Sequence, residues 1–299
     1  MIVTTIIPLE TGRNLADSLH ESLNFPIVQP IIRRFPDGET YIRIPEFDDD
    51  SVILVQSLYQ PQETHLFNLL NLAFTLKKRG ITDIRAVTPY LCYARADREI
   101  LGGEAVSIQT VFHLANASGI RELITIDIHN PEVISLSPSS LKVTNLLPTK
   151  SMATFVKTNA NIDQNWIVLA PDKGAKYRAE ALARELGVNY NYFLKHRDPE
   201  TGDVSLIGDA GLSELKDNVI LIDDIMATGR SLVQVINHLK FEGVQRVIVM
   251  VSHAFGTDSV DQMIEMGNGA VAATTTVPSP ISKIDIAEDI VHFLIAKET

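Results

Sequence analysis

Short runs that are almost wholly apolar alternate along this chain with longer stretches whose apolar residues recur every three or four positions, and no other feature restricts the fold as much. VILVQ (52–56) precedes a stretch with Leu66, Leu69, Leu70, Ala73 and Leu76 on one side, the spacing of an amphipathic helix. Gly80 is placed to end that helix. IRAVTPYL (84–91) reads as the next strand, followed by a helix with Ser107 as its N-cap and Ile108, Val111, Phe112 and Ala115 inward. LITID (123–127), IVLAP (167–171), VILID (219–223) and VIVMVSH (247–253) repeat the strand signal. IVLAP leads to a helix ending near Gly187, and VILID to one with Leu232, Val235, Ile236 and Leu239 inward and Gly243 past its end. Strands apolar on both faces and separated by helices predict an α/β fold, a mainly parallel sheet flanked by helices. The pattern runs twice around a looser stretch at 135–150, which divides the chain near residue 147 into domains 1–147 and 148–299. DIAEDIVHFL (285–294) reads as a closing helix.

Composition narrows the function. No run approaches the roughly 18 apolar residues of a membrane span, and MIVTTIIPLE lacks the basic region of a signal peptide. The lone cysteine, Cys92, leaves no disulfide framework or thiolate cluster, so a cytoplasmic location and no membrane partner are expected. A net charge of -11 repels polyanions and argues against nucleic acid as a partner. A small phosphorylated ligand would need local cations, for which Arg33, Arg34, Arg95, Arg98, Lys195, Arg197 and Arg230 are candidates, helped by a divalent metal.

VILIDDIMATGRSL (219–232) concentrates the chemistry. Apolar residues make a strand, Asp223 and Asp224 stand at its tip, and Thr228, Gly229, Arg230 and Ser231 open a helix. Backbone N–H groups at a helix start attract anions, and a glycine lets a phosphate come close. The carboxylates can hold ribose hydroxyls or a metal. The blander alternative is an ordinary capped strand-to-helix turn. Asp127 and Asp172 also stand at or just beyond strand ends, where open α/β sheets bind ligands. Three such acids are hard to explain as packing, because a buried carboxylate is costly unless paired or metal-bound.

The 219–231 segment resembles the phosphoribosyl-pyrophosphate loop shared by phosphoribosyltransferases and ribose-phosphate pyrophosphokinases. RRFPDGETYIRI (33–44), PYLCYARADRE (89–99), DIHNPE (127–132), PDKGAKYRAEALA (171–183) and LKHR (194–197) resemble, in order, segments of the second family. The resemblance implies two similar phosphoribosyltransferase-type domains and an enzyme that moves the pyrophosphoryl group of ATP to ribose 5-phosphate with Mg2+. By the same resemblance, Phe35 stacks near adenine and Asp37, Gly38 and Glu39 belong to the adenine segment. A neighbouring subunit completes that pocket, which implies a homo-oligomer. Arg95, Ala96 and Asp97 form the nucleotide-phosphate turn. His129 and Asp172, with Asp127 nearby, surround magnesium. Lys195 stabilises the transition state and Arg197 assists it while holding the ribose phosphate. Asp223 and Asp224 orient the ribose, and Ala227, Thr228, Gly229, Arg230 and Ser231 cradle the 5-phosphate.

Without the family, FPDGE (35–39) reads as a hairpin turn, Arg95 and Arg98 as surface arginines paired with Asp97 and Glu99, and DPETGD (198–203) as a mobile loop. Three positions depart from the common family pattern: Ala227 stands for an Asp, Arg230 for a Gly and Ala96 for a Gln. A phosphoribosyltransferase would explain the 219–231 segment but not the FPDGE, RADR or KHR segments. A regulatory homologue should have lost the Lys-x-Arg or metal residues, and this chain keeps them.

Overall fold

Strands TTIIP (4–8), SVILV (51–55) and WIVLA (166–170) are buried at every position, as expected of parallel strands covered on both faces. A computed structural model describes residues 4–197, 204–207 and 216–298. They group into two compact units, Met1–Leu146 with Ile290–Thr299, and Leu147–Asp289.

The first unit holds β1 (Thr4–Pro8), α1 (Arg13–Leu23), β2 (Ile31–Arg34), β3 (Thr40–Arg43), β4 (Ser51–Val55), α2 (Gln62–Lys78), β5 (Asp83–Thr88), α3 (Ser107–Ser118), β6 (Ile120–Ile126) and β7 (Lys142–Leu146). Its parallel sheet has the order β1-β4-β5-β6-β7, with β2 and β3 forming a separate antiparallel ribbon. The second unit holds α4 (Thr149–Asn159), β8 (Trp166–Ala170), α5 (Lys176–Leu186), β9 (Asn189–Tyr192), β10 (Leu194–Arg197), β11 (Val204–Ile207), β12 (Asn218–Met226), α6 (Arg230–Phe241), β13 (Arg246–Ala254), α7 (Val260–Gly267), β14 (Val271–Thr274) and β15 (Ser282–Ile284). Its parallel sheet has the order β15-β14-β13-β12-β8-β9, and β10 and β11 again form a separate antiparallel ribbon. The last helix, α8 (Ala287–Glu298), closes the chain.

The two units share one plan. From β1 and from β8 onward, each runs strand, helix, antiparallel ribbon, strand, helix, strand, helix and two further strands, the second unit adding α4 before β8 and β9 before its ribbon. Each ribbon is inserted before the strand that pairs with the unit's first sheet strand. Even β9, beside β8, has a counterpart in the isolated parallel bridge between Ile6 and Ile27.

Two local expectations change. Ser107 is the first residue of α3 and Val106 holds the cap position, with no side-chain cap bond. The strand expected to end at Asp223 continues to Met226, because β13 runs beside it to Ala254 and supplies partners throughout. FPDGE does form the turn of an antiparallel hairpin, closed by Phe35 N–H to Glu39 O at 2.8 Å and Gly38 N–H to Phe35 O at 2.9 Å. Gly38 has φ +94°, which glycine adopts without a Cβ penalty. Cys92 is buried, and burial pushes its thiol up to about 12, so it stays protonated and unreactive.

Candidate active site

In the second unit, β12 outruns its neighbour. Its last partner on β8 is Leu169, opposite Leu221, so Asp223 and Asp224 lie beyond the paired stretch, at the sheet's carboxyl edge. Successive residues of a strand point to opposite faces. Asp224 is buried, with Oδ2 3.6 Å from Nη2 of Arg178, which is itself only 3% exposed. The Arg178 guanidinium also lies 4.5 Å from the Tyr177 ring centre. Asp223 is half-buried and accepts the Asp224 N–H at 3.0 Å. Burial first, and then the negative charge of Asp224, push the Asp223 carboxyl well above the usual carboxylate range; Arg178 opposes this.

That shift has a stability consequence. A carboxyl raised on folding binds its proton more tightly folded than unfolded, so folding weakens as pH rises from about 3.9, the unfolded value, through the higher folded value. Asp223→Asn removes the cost. The variant is expected to match the wild type in urea unfolding at pH below about 3.9 and to exceed it at neutral pH. An equal difference at both pH values would contradict this.

Past β12 the chain turns through Ala227, Thr228 and Gly229 into α6. Gly229 has φ +75°, and a Cβ there would lie 3.0 Å from the Cβ of Ser259, so both backbone and space require glycine. Ala227, Thr228, Arg230 and Ser231 are exposed. The first intrahelical bond is Val233 N–H to Gly229 O at 3.0 Å; the Arg230 N–H meets the Thr228 hydroxyl at 3.5 Å, and the N–H groups of Ser231 and Leu232 are left for an anion. Two residues beyond β8, Asp172 caps a short turn by accepting the Ala175 N–H at 3.2 Å. The same edge thus carries Asp172, Asp223, Asp224 and the 227–231 loop. Lys195 and Arg197 lie on β10, opposite Leu206 and Val204 of β11. DPETGD (198–203) lies outside the described residues.

In the first unit, Asp127 follows β6 with φ +46° and is buried. Its N–H bonds to Leu146 O at 2.8 Å, and the exposed His129 follows two residues later. Asp97 accepts from Nδ2 of Asn130 at 2.8 Å and lies 3.6 Å from Nε of Arg98, so the RADR turn is tied to the His129 turn. The expected Arg98–Asp97 pairing is present, while Arg95 is exposed and has no ion pair among the described residues. Ala96 uses its backbone locally, its N–H bonding to Tyr93 O at 3.0 Å and its carbonyl accepting from Ile108 N–H at 3.4 Å. The hairpin packs Ile32 and Ile42 against the unit's core and leaves its tip exposed: Phe35 is 45% exposed and meets Tyr41 edge-on with ring centres 6.0 Å apart. Asp37 accepts the Glu39 N–H at 3.1 Å.

Arg178 is the residue that the sequence reasoning passed over. Its signal was present: it falls on the buried stripe with Leu182 and Leu186, and a charge on an apolar stripe is paired or costly.

Comparison with known proteins decides the family. Residues 4–119 match the N-terminal domain of ribose phosphate pyrophosphokinase, and residues 144–263 the phosphoribosyl transferase domain. A ribose-phosphate pyrophosphokinase of Pyrococcus furiosus is 35% identical over 269 residues, spanning 90% of this chain and 93% of its own. Another, of Sulfolobus acidocaldarius, is 37% identical over 256 residues, spanning 85% of this chain and 86% of its own. The chain belongs to the ribose-phosphate pyrophosphokinase family. As a member of that family it is an enzyme, and its fold agrees. A phosphoribosylpyrophosphate synthetase crystal structure from Mycobacterium smegmatis superposes with TM-score 0.82 and 23% identity, covering 99% of this chain and 98% of its own. Among the described residues, no helix of this family member is long and apolar enough to cross a membrane.

Proposed function

We propose that the chain transfers the β,γ-pyrophosphoryl group of ATP to the 1-hydroxyl of ribose 5-phosphate, giving 5-phosphoribosyl 1-pyrophosphate and AMP. The observation that carries this is the edge formed by Asp223, Asp224 and the 227–231 loop, in a chain whose first 119 residues also match the pyrophosphokinase family. A phosphoribosyltransferase would leave that first unit unexplained.

The loop N–H groups, with the Thr228 and Ser231 hydroxyls, hold the 5-phosphate, and Arg230 adds charge beside it. Asp223 and Asp224 orient the ribose so that its 1-hydroxyl attacks the β-phosphorus in line, with AMP leaving and no covalent enzyme intermediate. Lys195 and Arg197 stabilise the charge that grows on the transferred and leaving oxygens. Arg95 holds the nucleotide phosphates, on a turn that Ala96 keeps in shape through its backbone bonds and Asp97 through Asn130. Phe35, Asp37, Gly38 and Glu39 offer an adenine-binding segment on a hairpin too exposed to make a pocket alone, which supports a pocket completed by a second copy of the chain.

Asp172, His129 and Asp127 are the residues for Mg2+. The carboxylates of Asp172 and Asp127 suit an ion normally held by one or two carboxylates, water and substrate phosphates. When bound, it neutralises phosphate charge. A cytoplasmic setting suits these ligands.

One reaction tests the proposal. Purified protein with ATP, ribose 5-phosphate and magnesium is expected to release AMP, with no release when ribose 5-phosphate is omitted or magnesium is chelated. Substrate binding without AMP would favour a regulatory homologue.

A further inference from the structure

The turn that opens α6 has its carbonyls held from behind. Met226 O accepts the Phe255 N–H at 2.8 Å. Thr228 O accepts the Ser259 hydroxyl at 2.8 Å. Between them, Ala227 O lies so close to Gly256 that a Cβ at that position would come within 1.9 Å of it. Three successive carbonyls therefore face one segment, residues 255–259, which links β13 to α7.

The peptide bonds here are trans, and in a trans peptide the carbonyl of one residue and the N–H of the next point to opposite sides. Holding the carbonyls of Met226, Ala227 and Thr228 toward 255–259 turns the N–H groups of Ala227, Thr228 and Gly229 away from it. Among the described residues, none of those three N–H groups meets a protein acceptor. They stand beside the first turn of α6, where the Arg230 N–H meets the Thr228 hydroxyl at 3.5 Å and the Ser231 and Leu232 N–H groups are open, and clustered backbone N–H groups of this kind bind anions. Gly229 closes the packing, because Ser259 and Met263 fill the space where its side chain would stand.

We infer that Gly256 and Ser259 are positioning residues for the ribose 5-phosphate site: they hold the backbone of the 227–229 turn with its N–H groups aimed at the phosphate. Neither reaches the phosphate itself. The inference rests on the proposed role of this loop, and it assigns a function to a segment that would otherwise be a connection between elements.

The test is a steady-state and binding comparison of Ser259→Ala, Ser259→Thr and Gly256→Ala in the full chain. Losing the Ser259 bond removes one neutral hydrogen bond, so the KM for ribose 5-phosphate should rise roughly fivefold. The KM for ATP should hold, and kcat should change less than the ribose 5-phosphate KM. Ser259→Thr keeps the hydroxyl and should restore the value. Gly256→Ala should be more severe, because backbone rather than a movable side chain occupies the space; if it does not fold, Ser259→Ala and its Thr rescue decide alone. Calorimetric titration with ribose 5-phosphate, and with inorganic phosphate as a competitor, should reproduce the loss without turnover. An unchanged ribose 5-phosphate KM in Ser259→Ala, or an equal rise for both substrates, overturns the inference. A wild type that forms no AMP from ribose 5-phosphate overturns the functional proposal instead, and the calorimetric comparison still reads the brace.

Discussion

Lys195→Ala is expected to lower AMP formation about 10³-fold while ATP affinity, read by calorimetry, stays close to wild type. A pyrophosphoryl group in flight carries charge on oxygens that the ground state does not present in the same way. A cation that meets those oxygens only in the transition state raises kcat without tightening substrate binding. The chain is acidic overall, with 26 Lys and Arg against 37 Asp and Glu, so the cations that serve this step must be local. Lys195 stands on β10, two residues before Arg197. Lys195→Arg should recover little, because a planar guanidinium cannot replace a compact ammonium at a fixed point. Arg197→Ala should lower kcat and also raise the ribose 5-phosphate KM, since it is proposed to serve both. Lys195→Ala with unchanged turnover would remove the assignment, and a parallel loss of ATP affinity would make Lys195 a binding residue.

The second large effect is on stability. Arg178→Met should destabilise the second unit by roughly 3–5 kcal/mol, because it leaves the buried Asp224 carboxylate without its cation. Adding Asp224→Asn to that variant should recover much of the loss, since the uncompensated charge is then gone. Urea unfolding of the wild type, both single variants and the double variant gives the coupling directly. Strictly additive losses would mean that the 3.6 Å approach of the two groups carries no interaction of consequence. Activity adds a separate readout: Arg178→Met should also disturb ribose binding, because Asp224 shares its strand and edge with Asp223.

The alternation of apolar and periodic runs made β4, β5, β6, β8, β12 and β13 legible, since parallel strands covered on both faces are apolar throughout and that pattern is local; the outer strands β1, β7, β9, β14 and β15 were not read. The hairpin at 31–43 was legible for a similar reason: Asp-Gly marks the turn within the chain itself. The length of β12 was not, because Asp223 and Asp224 end the apolar run while β13, more than twenty residues away in sequence, keeps them in the ladder. Asp97 and Asn130 are 33 residues apart, and no local pattern foretells their bond. Arg178 was legible as a charge on the helical stripe of Leu182 and Leu186, but its partner Asp224, 46 residues on, was not. The shared plan of the two units was legible in outline, because the strand–helix pattern runs twice, while the matching ribbons were not, because the plan is repeated with different side chains.

The two antiparallel ribbons have a consequence for how such an enzyme can vary. Among the described residues each pairs only within itself, so exchanges within the ribbon strands break no hydrogen bond of either parallel sheet. A ribbon's residues answer to what they touch outside the sheet, whereas strand residues answer to register and burial on both faces. The nucleotide recognition and transition-state cations proposed for those two ribbons thus sit on parts whose shape is set outside the sheets, while the edge proposed to hold the sugar inherits the rigidity of the sheet beneath it.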